Sequence, residues 1–300
     1  MSPETLSPLE VWIPYWGDPA LLYATVESVK AQTDPDWLVT VVDDCYPDAS
    51  VAEHFAREAD PRIRYQRNET NLGIEANFQR CLDLASGDVM MFMGCDDLLE
   101  PDFVARVRTL AQQHPEADII QPGVRTVDDT GRPSTSLADR VKTRLRPRST
   151  EPVLLSGEQL AASLLRGNWL YWPSLVFRTE RVQQYAFRRD LPIILDLALV
   201  LDMVADGAQL LLDPVVTFAY RRHATSLSGT ALADGSRFAQ DRRYFAEAAG
   251  QMRRAGWPRA ARAAGWRWTS RLHGLAVLPH AARLRHRAGV AQALRHVLGR

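Results

Sequence analysis

The chain has 300 residues, 46% of them apolar and 24% charged, which is the make-up of an ordinary folded protein and excludes a disordered or fibrous one. No run of about 18 apolar residues occurs, so a polytopic membrane protein is excluded too; the most apolar stretch, Leu191 to Val204, is interrupted by Asp196 and Asp202. Formal net charge is zero, yet all 36 acids lie at or before Glu247, against 25 basic groups, while residues 248–300 carry eleven arginines and no acid.

Met1 to Glu10 has no basic start and no apolar core, so no secretory signal is expected there. Val11-Trp12-Ile13 is a short apolar run. Asp18-Pro19 reads as N-cap and first residue of a helix to about Ala31. Trp37 to Val42 is a buried strand ending in Asp43-Asp44, and Ser50 to Glu53 reads as a capping box. Ile63 to Gln66 is a further strand, and Ile74 to Ala85 has helical spacing. Val89 to Met93 is a strand with no polar face, expected to be covered on both sides, and it leads to Asp96-Asp97. Pro101 opens a helix, and Asp118 to Gln121 reads as the following strand. This alternation predicts an α/β fold with a doubly wound, mostly parallel sheet and helices on both faces. Ligands of such sheets bind beyond the carboxyl ends of the strands, where both acidic pairs fall.

Segment 125–155 is polar and reads as a mobile loop over that edge. Ser156 to Gln159 caps another helix, and an aromatic stretch from Trp169 leads into a strand, Leu175 to Phe177. Asp196 to Ala205 is helical and Gly207 ends it. Two strands follow, Leu210 to Leu212 and Val215 to Tyr220. Beyond Arg237 the sequence reads as helix, broken at Gly256-Trp257-Pro258 and near Pro279. Three cysteines, Cys45, Cys81 and Cys95, are too few and too odd in number for a disulfide scaffold, and fit a reduced cytoplasmic protein.

The acids carry two readings each. Asp43-Asp44 would accept bonds from a nucleobase or ribose, or cap the turn before Tyr46-Pro47. Asp96-Asp97 would hold a hard cation such as Mg²⁺ or Mn²⁺, or cap the helix after Pro101. Asp196, set among leucines, would be a poorly solvated base or an N-cap, with Asp190 and Asp202 as rivals. His223 would touch metal or phosphate, or be an ordinary loop histidine. Trp169, Tyr171 and Trp172 would stack on a sugar ring, or sit in the core.

Several pieces in order resemble the family 2 glycosyltransferases, which are inverting enzymes of the GT-A fold. They are Ile13 to Trp16, Glu27 to Thr33, Val41 to Asp44, Asn71-Leu72-Gly73, Ala85 to Asp88, Cys95-Asp96-Asp97 with Pro101-Asp102, and Tyr220 to His223 with Ser226 and Ser228. The resemblance runs from about Val11 to Gly229. It implies a nucleoside-diphosphate sugar donor and a glycan or lipid-linked acceptor. Asp44 with Pro14 and Tyr15 would bind the base, Asp96 the ribose or metal, and Asp97 with His223 a divalent metal on the diphosphate. Asp196 would deprotonate the acceptor, Gly207 falling eleven residues later as the pattern expects, and the three aromatics would bind it. Two positions depart from the pattern: Gly94 replaces an acid two residues before Asp96, and Leu195 replaces the Glu before Asp196.

Two other classes remain for comparison. A dinucleotide-dependent oxidoreductase requires a Gly-x-Gly-x-x-Gly turn after the first strand, where the chain has Pro14-Tyr-Trp-Gly-Asp. A non-catalytic sugar-nucleotide-binding or scaffolding protein would tolerate Gly94 and Leu195. The division expected is a catalytic unit over residues 1–230 and a basic helical extension over 231–300. The acid-free segment 248–300, with tryptophans and leucines among its arginines, reads either as helices packed on the acidic unit or as a peripheral anchor on an anionic membrane face; the acidic remainder disfavours nucleic acid.

Overall fold

The computed structural model describes residues 6–222, 236–272, 274–275 and 294–298. Its strands are β1 (Leu9–Tyr15), β2 (Trp37–Asp43), β3 (Ile63–Arg67), β4 (Val89–Phe92), β5 (Leu98–Leu99), β6 (Ile119–Val127), β7 (Val153–Leu155), β8 (Val176–Arg178) and β9 (Leu210–Arg221). The helices are α1 (Pro19–Lys30), α2 (Ser50–Ala56), α3 (Ile74–Leu84), α4 (Phe103–Gln113), α5 (Leu137–Leu145), α6 (Gly157–Arg166), α7 (Thr179–Val182), α8 (Leu195–Ala205), α9 (Ser236–Arg254) and α10 (Pro258–Trp266).

The strands form one sheet in the order β3-β2-β1-β4-β8-β6-β9-β5, with β7 beside β9. Its longer ladders, β1 with β2, β2 with β3 and β6 with β9, are parallel; the antiparallel ladders made by β5, β7 and β8 are short. Alternation along β1 sorts its side chains between the two faces. Val11, Ile13 and Tyr15 pack with α1 and α4, whereas Trp12 joins the core under α6 and α8. Helix α8 is buried on eight of its eleven residues, which accounts for the nearly unbroken apolar run that encodes it.

Local chemistry matches most of the expected boundaries. Asp18 accepts the Ala20 amide at 2.8 Å with Pro19 behind it, an ordinary N-cap. At α2 the capping oxygen comes from Asp48, which accepts the Ser50 amide at 2.9 Å, and Ser50 itself is the first helical residue. The expected strands at 210–212 and 215–220 are one, β9. Segment 125–155 is not a loop throughout: it extends β6, builds α5 on a capping box between Ser136 and Asp139, and adds β7. The acidic side chain that closes the box lies three residues after Ser136, and Leu137, Val141 and Leu145 recur at helical spacing, a pattern of only three residues in a polar stretch.

The expected helices after Arg237 are present as α9 and α10, separated at Gly256 and Trp257; the break near Pro279 lies outside the described residues. Phe245, Ala248, Met252, Ala260 and Ala264 belong to the same core as α6 and α8. A boundary at residue 230 therefore separates no cores, and the beginning of the acid-free segment is packed interior. Met252→Ala should cost about 2–5 kcal/mol, as for other buried large-to-small changes, measured by urea unfolding. A chain ended after Glu247 should lose its cooperative thermal transition, while one ended after Leu275 should keep it.

Candidate active site

The parallel register puts Tyr15, Asp43 and Arg67 side by side at the carboxyl edge. Asp43 is fully buried and internally bonded. It accepts the Tyr46 amide at 2.7 Å and the Arg67 Nη1 at 2.6 Å, and also the Tyr65 hydroxyl. Asp44 organises the next loop. Its Oδ1 accepts Asn68 Nδ2 and the Leu72 amide, both at 2.8 Å, and its Oδ2 accepts the Gly73 amide at 2.9 Å. That explains Asn71-Leu72-Gly73: the loop wraps a carboxylate and enters α3 through Gly73 at φ +86°. Since a carboxylate takes about four such bonds, Asp44 keeps room for one more.

Pro14 is half-buried beside this edge. Tyr15 is wholly buried, its hydroxyl donating to the Gly17 carbonyl at 2.8 Å, so it supports the edge and offers no ring face. The exposed ring is Trp16, 50% accessible, set edge-on to Tyr46 at 5.4 Å. Sequence reasoning gave neither Trp16 nor Tyr46 a role; their signal is an aromatic following each strand end. Just before Tyr46, Cys45 holds φ +62°, a left-handed conformation uncommon for a residue with a side chain.

The second acidic pair follows β4. Asp97 is 1% exposed. Its Oδ1 accepts the Arg221 amide at 2.8 Å and its carbonyl accepts the Thr25 hydroxyl at 2.8 Å, but Oδ2 is buried with no partner. Arg221 Nε donates to the Asp96 carbonyl at 2.7 Å, and the β5–β9 ladder brings these segments together. A Cβ on Gly94 would lie 2.5 Å from Asp97 Oδ2 and 2.8 Å from Asp96 Oδ1. The two carboxylates thus converge on the space above Gly94, and an acid there would displace one of them. Burial, and then the charge of Asp96, push the Asp97 carboxyl well above the usual range. Such a pair suits a hard cation that takes its other ligands from phosphate and water. Among the described residues no group of three or more His, Cys, Asp and Glu side chains forms a metal site, and His223 lies outside them.

A polar circuit runs from there to Asp196. Arg222 donates to Asp139, which also accepts the Tyr171 hydroxyl at 3.0 Å. Arg222 lies over the Tyr220 ring at 4.7 Å and Lys142 over the Tyr171 ring at 4.3 Å. Burial alone would raise Asp139, but Arg222 and Ser136 hold it below its ordinary value. Asp196 is the second residue of α8, whose N-cap is Ile194, and Asn168 Nδ2 donates to it at 3.4 Å. Burial raises its pKa, against Lys142 and Arg237. Its rivals are engaged elsewhere: Asp190 is paired with Arg188 and Arg243, and Asp202 accepts from Gln251 at 2.9 Å.

Of the three aromatics, only Tyr171 belongs to this circuit. Trp169 is 1% exposed, with its Nε1 on Ser163 at 3.1 Å; it is a core residue with no face for a sugar. Trp172 is half-buried and stacks on Phe92 at 5.5 Å, with Phe187 against it. An aromatic-rich stretch alone does not reveal which rings point inwards.

A mixed α/β sheet with acids at the carboxyl ends of β2 and β4, covered on both faces, is the architecture of the GT-A glycosyltransferases. The model of glycosyl transferase family 2 matches residues 10–166, more than half of the chain, and the protein belongs to that family. A crystal structure of S. aureus TarS 1-349 in complex with UDP-GlcNAc superposes with TM-score 0.63 at 15% identity, covering 80% of this chain and 66% of that one. An uncharacterised protein of Mycobacterium tuberculosis is 28% identical over 196 residues, covering 63% of this chain and 59% of its own. A PGL/p-HBAD biosynthesis glycosyltransferase of Mycobacterium bovis is 32% identical over 111 residues, 36% of this chain and 43% of the relative. The chain thus spans less than two thirds of these curated relatives.

Replacing the burdened carboxylate should stabilise the ligand-free protein. Asp97→Asn removes a buried charge beside another, so the melting temperature at pH 7 should rise by a few degrees, at about 2–4 °C per kcal/mol for a chain of this order of size. A fall in calorimetry would show that Asp97 is not held at a cost.

Proposed function

We propose that this protein transfers a sugar from a nucleoside-diphosphate sugar to a hydroxyl of a glycan or lipid-linked acceptor, with inversion at the anomeric carbon. The observation that carries the reading is the buried Asp97 carboxylate, one oxygen unpartnered and Asp96 beside it, joined through Arg222, Asp139 and Tyr171 to the neighbourhood of Asp196. The base of the donor lies along Asp44, Pro14 and the exposed Trp16, over the supporting Tyr15. Asp96 meets the ribose or the metal. Asp97 and His223 hold a divalent ion, Mn²⁺ or Mg²⁺, which when bound supplies positive charge for the leaving diphosphate. Arg222 adds a fixed positive charge on the same side.

Asp196 accepts the proton of the acceptor hydroxyl, whose oxygen attacks the anomeric carbon opposite the diphosphate. The new carbon–oxygen bond forms as the bond to the diphosphate breaks. Tyr171 lines the acceptor side. UDP-GlcNAc, the ligand named for TarS, is the first donor to try, and the name of the mycobacterial PGL/p-HBAD relative favours cell-envelope or polysaccharide biosynthesis as the setting. Asp196→Asn should lower turnover by about 10²-fold or more with little change in donor KM. The thermal shift that Mn²⁺ adds to UDP should vanish in Asp97→Ala. A larger loss in Asp190→Asn or Asp202→Asn would assign the base elsewhere.

The C-terminal helices supply a surface suited to the cytoplasmic face of an anionic membrane. Trp268, Leu272 and Leu275 recur at helical spacing and are 44%, 53% and 47% exposed, with Trp266 still more so. Arg253, Arg254, Arg259, Arg262 and Arg295 are exposed in the same acid-free segment. Apolar rings for the interface and arginines for headgroups match such a surface. Among the described residues no helix is long and apolar enough to cross a membrane. The full chain should co-sediment with phosphatidylglycerol vesicles at low salt and be released at high salt, and Leu272→Asp with Leu275→Asp should abolish binding without changing the melting temperature.

A further inference from the structure

Of the 36 lysines and arginines in this chain only Lys30 and Lys142 are lysines. Lys30 lies on the outer side of α1, paired with Glu27 and Glu58. Lys142 turns inwards from α5. Its Nζ donates to the Leu170 carbonyl at 2.5 Å and sits 4.3 Å from the centre of the Tyr171 ring. The Leu170 amide donates to Asn168 Oδ1 at 3.1 Å, and Asn168 Nδ2 donates to Asp196 Oδ2 at 3.4 Å. A single chain of contacts therefore leads from the ammonium to the carboxylate.

We propose that Lys142 is a positioning residue for Asp196: it clamps residues 168–171, from which Asn168 reaches the carboxylate, and its charge keeps that carboxylate ionised. The kinetic half of this inference rests on Asp196 being the base. The choice of lysine has a physical reason in a chain that otherwise uses arginine. A guanidinium stays charged at any working pH, whereas a buried ammonium loses its proton near neutrality.

The groups facing the pair come from several elements. Asp196 is faced by Lys142 of α5, Asn168 after α6, and Arg237 and Tyr244 of α9. Lys142 is faced by Arg222 at the end of β9, by Asp139 on its own helix, and by Asp196 and Arg237. Burial, and next Arg222, pull the amine down to about 8, while Asp196 and Asp139 oppose them. Both members are therefore charged only below about pH 8 and above the raised value of Asp196. Above that window the clamp loses its ammonium; below it the base is protonated.

The full-length protein with ¹⁵N-lysine offers two side-chain signals to titrate, and Lys30 serves as the internal reference. The Lys142 midpoint should lie near about 8, and Asp196→Asn should lower it by about one pH unit or more while leaving Lys30 unmoved. If Lys142 titrates with Lys30, or ignores Asp196→Asn, the inference is overturned. In turnover, Lys142→Met should move the acid limb of the kcat profile to higher pH, because Asp196 loses the charge that favours its ionised form, and Lys142→Arg should move it back. An unmoved limb in Lys142→Met also overturns it. If Asp196→Asn shifts Lys142 yet leaves turnover intact, the pair stands and it is Asp196 as base that falls.

Discussion

A carboxylate buried at the end of a central strand, with a second one beside it, is the constraint around which this molecule is arranged. Asp97 has one oxygen on the Arg221 amide and one without a partner. Holding it there requires a main-chain donor from β9, which the two-residue β5 supplies by pairing Leu98 and Leu99 with Ala219 and Phe218. It requires Thr25 of α1 on the carbonyl, and no side chain at Gly94. The parallel region of the sheet and its mixed region are thus tied at the point where negative charge is most costly, so a cation bound there would recover energy that the fold has already invested.

The remaining polar groups divide into those whose bonding is complete and those with capacity left. Asp43 and Asp44 look equivalent in the sequence but are not. Asp43 is filled by Tyr46, Arg67 and Tyr65, and Asp44 by Asn68 and the Leu72-Gly73 amides with capacity to spare. Glu10 does similar work at the opposite end of β1, accepting the Ser86 amide at 3.0 Å and the Trp12 indole at 3.1 Å, which gives Ser86-Gly87-Asp88 a structural meaning. A motif can therefore mark a buried acceptor as readily as a contact with substrate.

The elements that were legible in the sequence are those whose side chains all answer to one environment. β2 and β4 are continuous apolar runs because both faces are covered, and α8 is apolar around its circumference for the same reason. Illegible were β5 and β7, too short to have a period, and α5, whose Leu137 and Val141 are exposed. Asp96, Asp97 and Asp196 stand out in the sequence because they are acids among apolar residues. Trp169 was misjudged because aromatic content does not tell a ring in the core from a ring at a ligand. Lys142 did have a signal, its rarity, which carries weight only once its burial is known.

Helix α5 turns mainly polar groups inwards, Asp139 and the Lys142 ammonium, and exposes Leu137 and Val141. Apart from Leu145, which packs on the core, its attachment is through hydrogen bonds and ion pairs, whereas α8 is locked into the core. The two helices therefore differ in how freely they can change. Substitutions along the outer face of α5 leave the sheet and its core untouched, whereas those along α8, which carries Asp196, do not. Variation in α5 is where a new specificity would cost the fold least.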